Sequence, residues 1–326
     1  MSHPAKPQIF VTRQIAPEAI EKLQQHCIVD LWEEETPPPY ETLIERTQGK
    51  DGLLCMLTDR IDQNFLEKAG GSLKVVSQLA AGYDNIDVTA LARMGIPLGN
   101  TPGILTEATA DIAFLLILAT ARRLNESIDY VKNGEWTTWH PLTLLGVDLA
   151  GATLGIYGYG RIGAAVAKRA AGFGMNILAH SRSLTVGETL PDTSTAVSLE
   201  TLFQESDFLS LHAPLTAETH HIIRAETLQM MKPNAILINT GRGKLVDHDA
   251  LYNALVTKEI RAAGLDVTDP EPFPADHPLL SLPHVIVLPH IGSATIQTRT
   301  KMAFMAVENL LAGLNGTALP HPVKGS

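Results

Sequence analysis

A chain of 326 residues, 45% hydrophobic and only 5% aromatic, is long enough to build two packed cores. Its formal charge of -10 and pI near 5.6 exclude an extended nucleic-acid surface, because no stretch collects enough Lys and Arg to neutralise a run of phosphates. The only cysteines, Cys27 and Cys55, have neither metal nor redox spacing, so no metal site is expected and both thiols read as buried in a reducing compartment.

The opening Met1-Ser2-His3-Pro4-Ala5-Lys6-Pro7 lacks the long apolar segment of a signal peptide, which predicts a cytoplasmic protein. From Gln8 onward short β-branched runs alternate with amphipathic stretches: strands at 9–11, 28–31, 53–57 and 73–79, helices at 17–26, 40–47 and 64–69. Such alternation predicts an α/β protein with parallel sheets and crossover helices. The strand at 73–79 runs into Ala80-Ala81-Gly82-Tyr83-Asp84-Asn85, a small-residue turn that offers free backbone amides. Helical periodicity covers 107–124; its most apolar part, 112–121, is too short to span a bilayer and is expected to be a buried helix, so no membrane contact is expected. Residues 133–148, rich in Trp, Pro and Gly, read as an irregular arm in which Trp136 and Trp139 are large for a loop.

A second sheet begins at 152–157, and Gly158-Tyr159-Gly160-Arg161-Ile162-Gly163 follows it directly into a helix. In a dinucleotide-binding turn the first glycine permits the bend, the second lets a pyrophosphate approach the backbone, and the third lets helix and strand pack closely. The next strand, 175–179, ends in His180-Ser181-Arg182-Ser183, where an Asp or Glu would accept hydrogen bonds from the ribose hydroxyls of NAD. A hydroxyl followed by Arg182 suits a 2′-phosphate, so NADP(H) is the expected preference, with NAD(H) as the alternative. Further strands are expected at 208–211, 235–238, 262–265 and 285–288, then a helix at 294–314 with no strand after it.

Ligands of open parallel sheets sit beyond the carboxyl ends of the strands, and three polar residues stand there. They are Arg242 in Gly241-Arg242-Gly243, Glu271 after Asp266-Val267-Thr268-Asp269-Pro270, and His290 after Leu288-Pro289. Singly they fit a surface ion pair, a solvated carboxylate and a loop histidine. Together, beside a nicotinamide, they suit a 2-oxo acid: Arg242 forks onto its carboxylate and polarises the carbonyl, His290 donates the proton, and Glu271 favours and orients the imidazolium.

Over nearly its whole length the chain resembles the D-isomer-specific 2-hydroxyacid dehydrogenase family, within it the glyoxylate/hydroxypyruvate reductases. The resemblance rests on residues 155–163, on Leu211-His212-Ala213-Pro214-Leu215-Thr216, on 231–234 through Gly241-Arg242-Gly243, on Gly264-Leu265-Asp266-Val267 with Pro270-Glu271-Pro272, and on Pro289-His290-Ile291-Gly292-Ser293. It implies two Rossmann-like, flavodoxin-like domains with an interdomain cleft: a discontinuous substrate-binding domain of residues 1–103 and 294–326, and a dinucleotide-binding domain of 104–293. It implies that Ala81 and Gly82 bind the substrate carboxylate through backbone amides, with Arg242, His290, Ser293 and Trp139 also at the substrate, and Leu53 and Leu57 as lining residues at best. For the cofactor it implies Thr109, the glycine loop from Gly158 to Gly163, Ser181, Arg182, Ser183, Ala213, Pro214, Thr240, Asp266 and Gly292. Glu135-Trp136-Thr137-Thr138-Trp139-His140-Pro141 resembles the reductases' Trp-Lys-Pro arm, in which the tryptophan reaches the partner subunit's active site, with His140 in the lysine position, and with Asn100-Thr101-Pro102 and Thr109-Ala110-Asp111 implies a homodimer. Other oxidisers of D-2-hydroxyacids or phosphite share this pattern, as do cofactor-sensing regulators resembling the C-terminal binding proteins.

Overall fold

Apolar side chains alternate along the first strands, Ile9 and Val11 pointing to one side and Phe10 to the other, so each strand feeds two cores at once. The computed structural model describes residues 6–325; of the segment Met1–Pro7, expected not to be a signal peptide, the first five residues lie outside the described residues. The chain divides into two compact units, one running to Leu105 and resuming at Ala294, the other comprising Thr106–Ser293.

The first unit is a five-stranded parallel sheet of β1 (Gln8–Val11), β2 (Ile28–Leu31), β3 (Gly52–Cys55), β4 (Val75–Gln78) and β5 (Leu98–Gly99), in the order β2-β1-β3-β4-β5. One face packs Phe10, Leu53 and Val76 against Phe65, Leu66 and Leu91. The other packs Ile9, Val11, Leu54 and Val75 against Ala303, Ala306, Val307 and Leu310 of the helix Ile296–Leu314. Leu53 is therefore completely enclosed in the core, which corrects its reading as a lining residue; Leu57, beyond the strand, is exposed.

The second unit is a seven-stranded parallel sheet of β6 (Thr153–Tyr157), β7 (Asn176–His180), β8 (Thr195–Ala196), β9 (Phe208–Leu211), β10 (Ile236–Asn239), β11 (Ala262–Leu265) and β12 (Val285–Val287), ordered β12-β11-β10-β9-β6-β7-β8. Chain direction across the sheet reverses at β6, which pairs with both β7 and β9. The helices Thr106–Ala121 and Arg161–Gly172 cover one face through Ala113, Ile117, Val166 and Ala170, and Leu202, Phe203, Leu251 and Leu255 cover the other.

The helix expected at 107–124 is present as Thr106–Ala121 and ends three residues early, and a second helix begins at Leu124. Thr106–Ala121 stops, Arg123 takes a left-handed backbone (φ 53°), and Leu124–Lys132 follows. The Arg123 guanidinium forks onto Glu126 with both bonds at 2.8 Å, holding the corner. The second helix has no buried residue, while Leu124, Ile128 and Val131 are exposed. The two-residue strands β5 and β8 are too short to leave an alternation in the sequence. Among the described residues no helix is long and apolar enough to cross a membrane, and no group of three or more His, Cys, Asp or Glu could hold a metal ion.

Candidate active site

Register sets the site. Tyr157 pairs with Leu211, Leu211 with Asn239, Asn239 with Leu265, and Leu265 with Val287, so five parallel strands end level along one edge. The next residues of the first four strands, Gly158, His212, Thr240 and Asp266, consequently line up although the sequence separates them widely.

Gly158 has φ +94°, and a Cβ there would lie 2.4 Å from the Ala213 amide nitrogen. Only glycine satisfies both the turn and this approach. A Cβ at Gly163 would lie 2.6 Å from the Gly158 carbonyl, whereas space around Gly160 is open. The helix beginning at Arg161 has no intrahelical acceptors for its first amides, Arg161, Ile162 and Gly163 among them, so a donor-rich terminus faces an uncrowded turn. These features fit a dinucleotide pyrophosphate. Tyr159 donates its hydroxyl to Asp192, tying the segment after β7 to this turn. At the end of β7, Ser181 is half-buried, Arg182 and Ser183 are exposed, and the Ser181 and Ser183 hydroxyls are 3.2 Å apart.

Arg242 follows β10 in an extended conformation, with Asn239 Nδ2 donating to its carbonyl at 2.8 Å. A Cβ on Gly243 would fall 1.8 Å from the Thr268 carbonyl, so this glycine lets the arginine turn lie directly on the segment leading to Glu271. Glu271 accepts the Thr268 amide on Oε1 (3.0 Å) and faces His290 Nδ1 with Oε2 (2.8 Å). Burial works to raise the Glu271 pKa, but the hydrogen bond and charge of His290, the Thr268 amide and the Arg242 charge outweigh it and hold the carboxyl below its usual range. An ionised carboxylate only accepts, so Nδ1 carries the proton and Nε2 is left for chemistry.

His290 sits at φ 54°, a left-handed position uncommon for a residue other than glycine. Asp266 secures it: its carbonyl accepts the His290 amide (2.9 Å), and its carboxylate accepts the amides of Ile291 and Gly292 (2.8 Å each). Burial pushes the Asp266 pKa up against these bonds. Thr109 donates to the Gly292 carbonyl at 3.3 Å, joining the same cluster. Ala213 is buried against Gly158, Thr240 is buried beside His212, Pro214 is exposed, and Ser293 is half-buried. Trp139 is 80% exposed on the irregular arm.

Two supporting residues escaped the sequence reading, Thr268 and the side chain of His212, and Gly243, named there within Gly241-Arg242-Gly243, has the further part of admitting the Thr268 carbonyl. His212 bonds Ser210 Oγ (2.8 Å) and Thr240 Oγ1 (3.3 Å), and burial pushes it down to about 4, so the ring is neutral under the row of strand ends. The signal was present as a polar residue inside Leu211-His212-Ala213-Pro214, but nothing local names its partners.

Residues 114–292 match the NAD binding domain of the D-isomer specific 2-hydroxyacid dehydrogenases. The chain belongs to this family. Glyoxylate reductase of Korarchaeum cryptofilum is 50% identical over 319 residues, covering 98% of this chain and 96% of that protein. Among solved structures, a protein of Thermus thermophilus superposes with TM-score 0.91 at 46% identity, covering 97% of this chain and 99% of that one. The NADPH-dependent glyoxylate/hydroxypyruvate reductase of Sinorhizobium meliloti, in complex with NADP and malonate, gives TM-score 0.87 at 33% identity and 98% coverage of each chain. This family member thus shares both parallel-sheet units with its structural relatives.

Because the folded state favours ionised Glu271, that preference stabilises the protein above the ordinary carboxylate pKa of about 4.3 and is lost as pH falls through the depressed folded value. The melting-temperature gap between wild type and Glu271→Gln is therefore expected to be widest near neutral pH and to close as pH is lowered below about 4. A gap unchanged across that window in a thermal melt series would contradict the assignment.

Proposed function

We propose that this chain reduces a small 2-oxo acid, glyoxylate or hydroxypyruvate, to the 2-hydroxy acid, using NADPH in preference to NADH. The observation that carries the reading is the 2.8 Å Glu271–His290 pair, set on the edge that also carries the Gly158 turn and Arg242. The names borne by the reductase relatives support the substrate class. We assign residues 104–293 to dinucleotide binding and residues 1–103 with 294–326 to substrate binding.

A nicotinamide cofactor held at the glycine loop supplies the hydride. Thr109, Tyr159, Gly160, Arg161, Ile162, Ala213, Pro214, Thr240, Asp266 and Gly292 hold it, and Ser181, Arg182 and Ser183 take the 2′-phosphate. Arg242 forks onto the substrate carboxylate and carbonyl oxygen, which stabilises negative charge developing on that oxygen. His290 donates the Nε2 proton to it, completing the hydroxyl, while Glu271 stabilises the imidazolium and fixes the ring. The Ala81 and Gly82 amides hold the carboxylate, with Ser293 and Trp139 beside the substrate.

Replacing His290 by Ala is expected to lower kcat by about 100-fold or more with little change in cofactor affinity, as for loss of a general acid. Arg242→Ala is expected to raise KM for glyoxylate as well. Steady-state kinetics decide, and normal turnover by the His290 variant would remove it from the acid-base role. For cofactor choice, Ser181→Asp is expected to shift the kcat/KM ratio toward NADH; a wild type that already uses NADH better would overturn the phosphate assignment.

The arm leaves Trp136, Trp139, Leu142 and Leu145 exposed, and the helix Leu124–Lys132 that precedes it in the chain leaves Leu124, Ile128 and Val131 exposed, more apolar side chain in water than a free surface usually shows. We infer a homodimer through this region, in a reducing cytoplasm that suits two buried unpaired thiols. Sedimentation equilibrium should give twice the chain mass, and Trp136→Glu combined with Leu142→Glu should give the monomer.

A further inference from the structure

Behind the turn that follows β4, three carbonyls in succession are tied down. The Thr101 amide donates to the Ala80 carbonyl (2.9 Å), Asn100 Nδ2 to that of Ala81 (2.8 Å), and Gln78 Nε2 to that of Gly82 (3.3 Å). A trans peptide is planar, with C=O and N–H pointing in opposite directions. Fixing each carbonyl therefore aims the next amide, that of Ala81, Gly82 and Tyr83 in turn, the other way. Among the described residues these three amides donate to no other group, and Ala81, Gly82 and Tyr83 all retain solvent exposure.

The Gln78 side-chain amide is itself oriented by a chain of obligatory partners, and Asn100 is held by its backbone. The Met56 and Asp59 carbonyls can only accept, so Asn85 must turn Nδ2 toward them (3.1 and 2.7 Å) and Oδ1 toward Gln78. Gln78 must then present Nε2 to Asn85 Oδ1 (2.7 Å), which leaves its Oε1 to accept the Cys55 thiol (3.1 Å). Burial pushes the Cys55 thiol well above its ordinary pKa and keeps it a donor. On the other side, the Asn100 carbonyl accepts Asn309 Nδ2 at 3.0 Å, and the Asn100 amide donates to the His321 carbonyl at 3.1 Å. Gln78 is 0% exposed and Asn100 6%, in positions where an apolar side chain would fill the space without needing partners.

We propose that Gln78 and Asn100 are positioning residues which set the peptide planes of residues 80–83, so that the Ala81, Gly82 and Tyr83 amides are aimed at the carboxylate of the 2-oxo acid. This rests on the reading of Ala81 and Gly82 as carboxylate binders, and it extends that reading to Tyr83. Neither side chain touches substrate. Their work is to prevent the turn from rotating a carbonyl, an acceptor that repels an anion, into the place of a donor.

The test uses deuterated, 15N-labelled full-length protein with NADPH, titrated with oxamate, an unreactive carboxylate one heavy atom larger than glyoxylate. In wild type the amide resonances of Ala81, Gly82 and Tyr83 are expected to move with oxamate. In Gln78→Met and in Asn100→Ala their saturation should need about tenfold more oxamate, the scale of one hydrogen bond to a charged group. KM for glyoxylate should rise by a similar factor, with kcat falling far less and KM for NADPH unchanged. Wild-type oxamate affinity in both variants overturns the positioning role. Wild-type amides that stay still on saturation with oxamate overturn the carboxylate reading itself, and this proposal with it. Should Gln78→Met fail to fold, Asn100→Ala, which frees a different peptide plane, decides alone.

Discussion

Parallel pairing in register is the constraint on which the second unit's chemistry depends. Tyr157, Leu211, Asn239, Leu265 and Val287 form one level row, and each strand delivers its next few residues to the same edge. Shifting a strand by one residue would turn its apolar side chains to the opposite face, so core packing fixes the register independently of any ligand. Leu209, Leu237 and Ala263 lie in one core and Phe208, Ile236 and Ala262 in the other, leaving no slack for such a shift. Precision at the edge is thus inherited from close packing behind it.

Loops beyond that edge are held by polar groups that answer backbone to backbone. Asp266 grips two successive amides after His290, Asn239 holds the Arg242 carbonyl and, through Oδ1, the Gly241 amide (3.0 Å), and His212 joins Ser210 to Thr240. In the first unit Gln78, Asn85 and Asn309 play the same part. Each buried donor or acceptor is costly if left alone, so a loop conformation that strands one is strongly disfavoured. The left-handed backbone of His290 persists for this reason, in the face of a conformation that most side chains avoid.

How far the sequence disclosed this can be judged residue by residue. Strand positions with alternating or continuous apolar runs were legible, because burial on both faces leaves a strong pattern, as in β9 and β10. The glycines at 158, 160 and 163 were legible because their spacing reports a turn between a strand and a helix. Gly243 was legible as a glycine flanking Arg242 but not as a packing glycine, since the 1.8 Å approach of the Thr268 carbonyl comes from a segment 25 residues away. The left-handed Arg123 was hidden because helical periodicity reads on to Leu124, three residues past the end of the helix at Ala121. Leu53 was read toward a lining position because it stands near a strand end, yet the pleat turns it into the core.

The helix Ile296–Leu314 carries a consequence for how the molecule is made. Its Ala303, Ala306, Val307 and Leu310 are the cover for one face of a sheet whose first strand is β1. During synthesis that face stays bare until the whole second unit has been produced, because its lid follows Ser293 in the chain. The second unit, built entirely from Thr106–Ser293, has no such dependence and is complete first. An interruption of translation before residue 296 would therefore release a chain with one finished body and one exposed apolar sheet, a species suited to chaperone capture and aggregation.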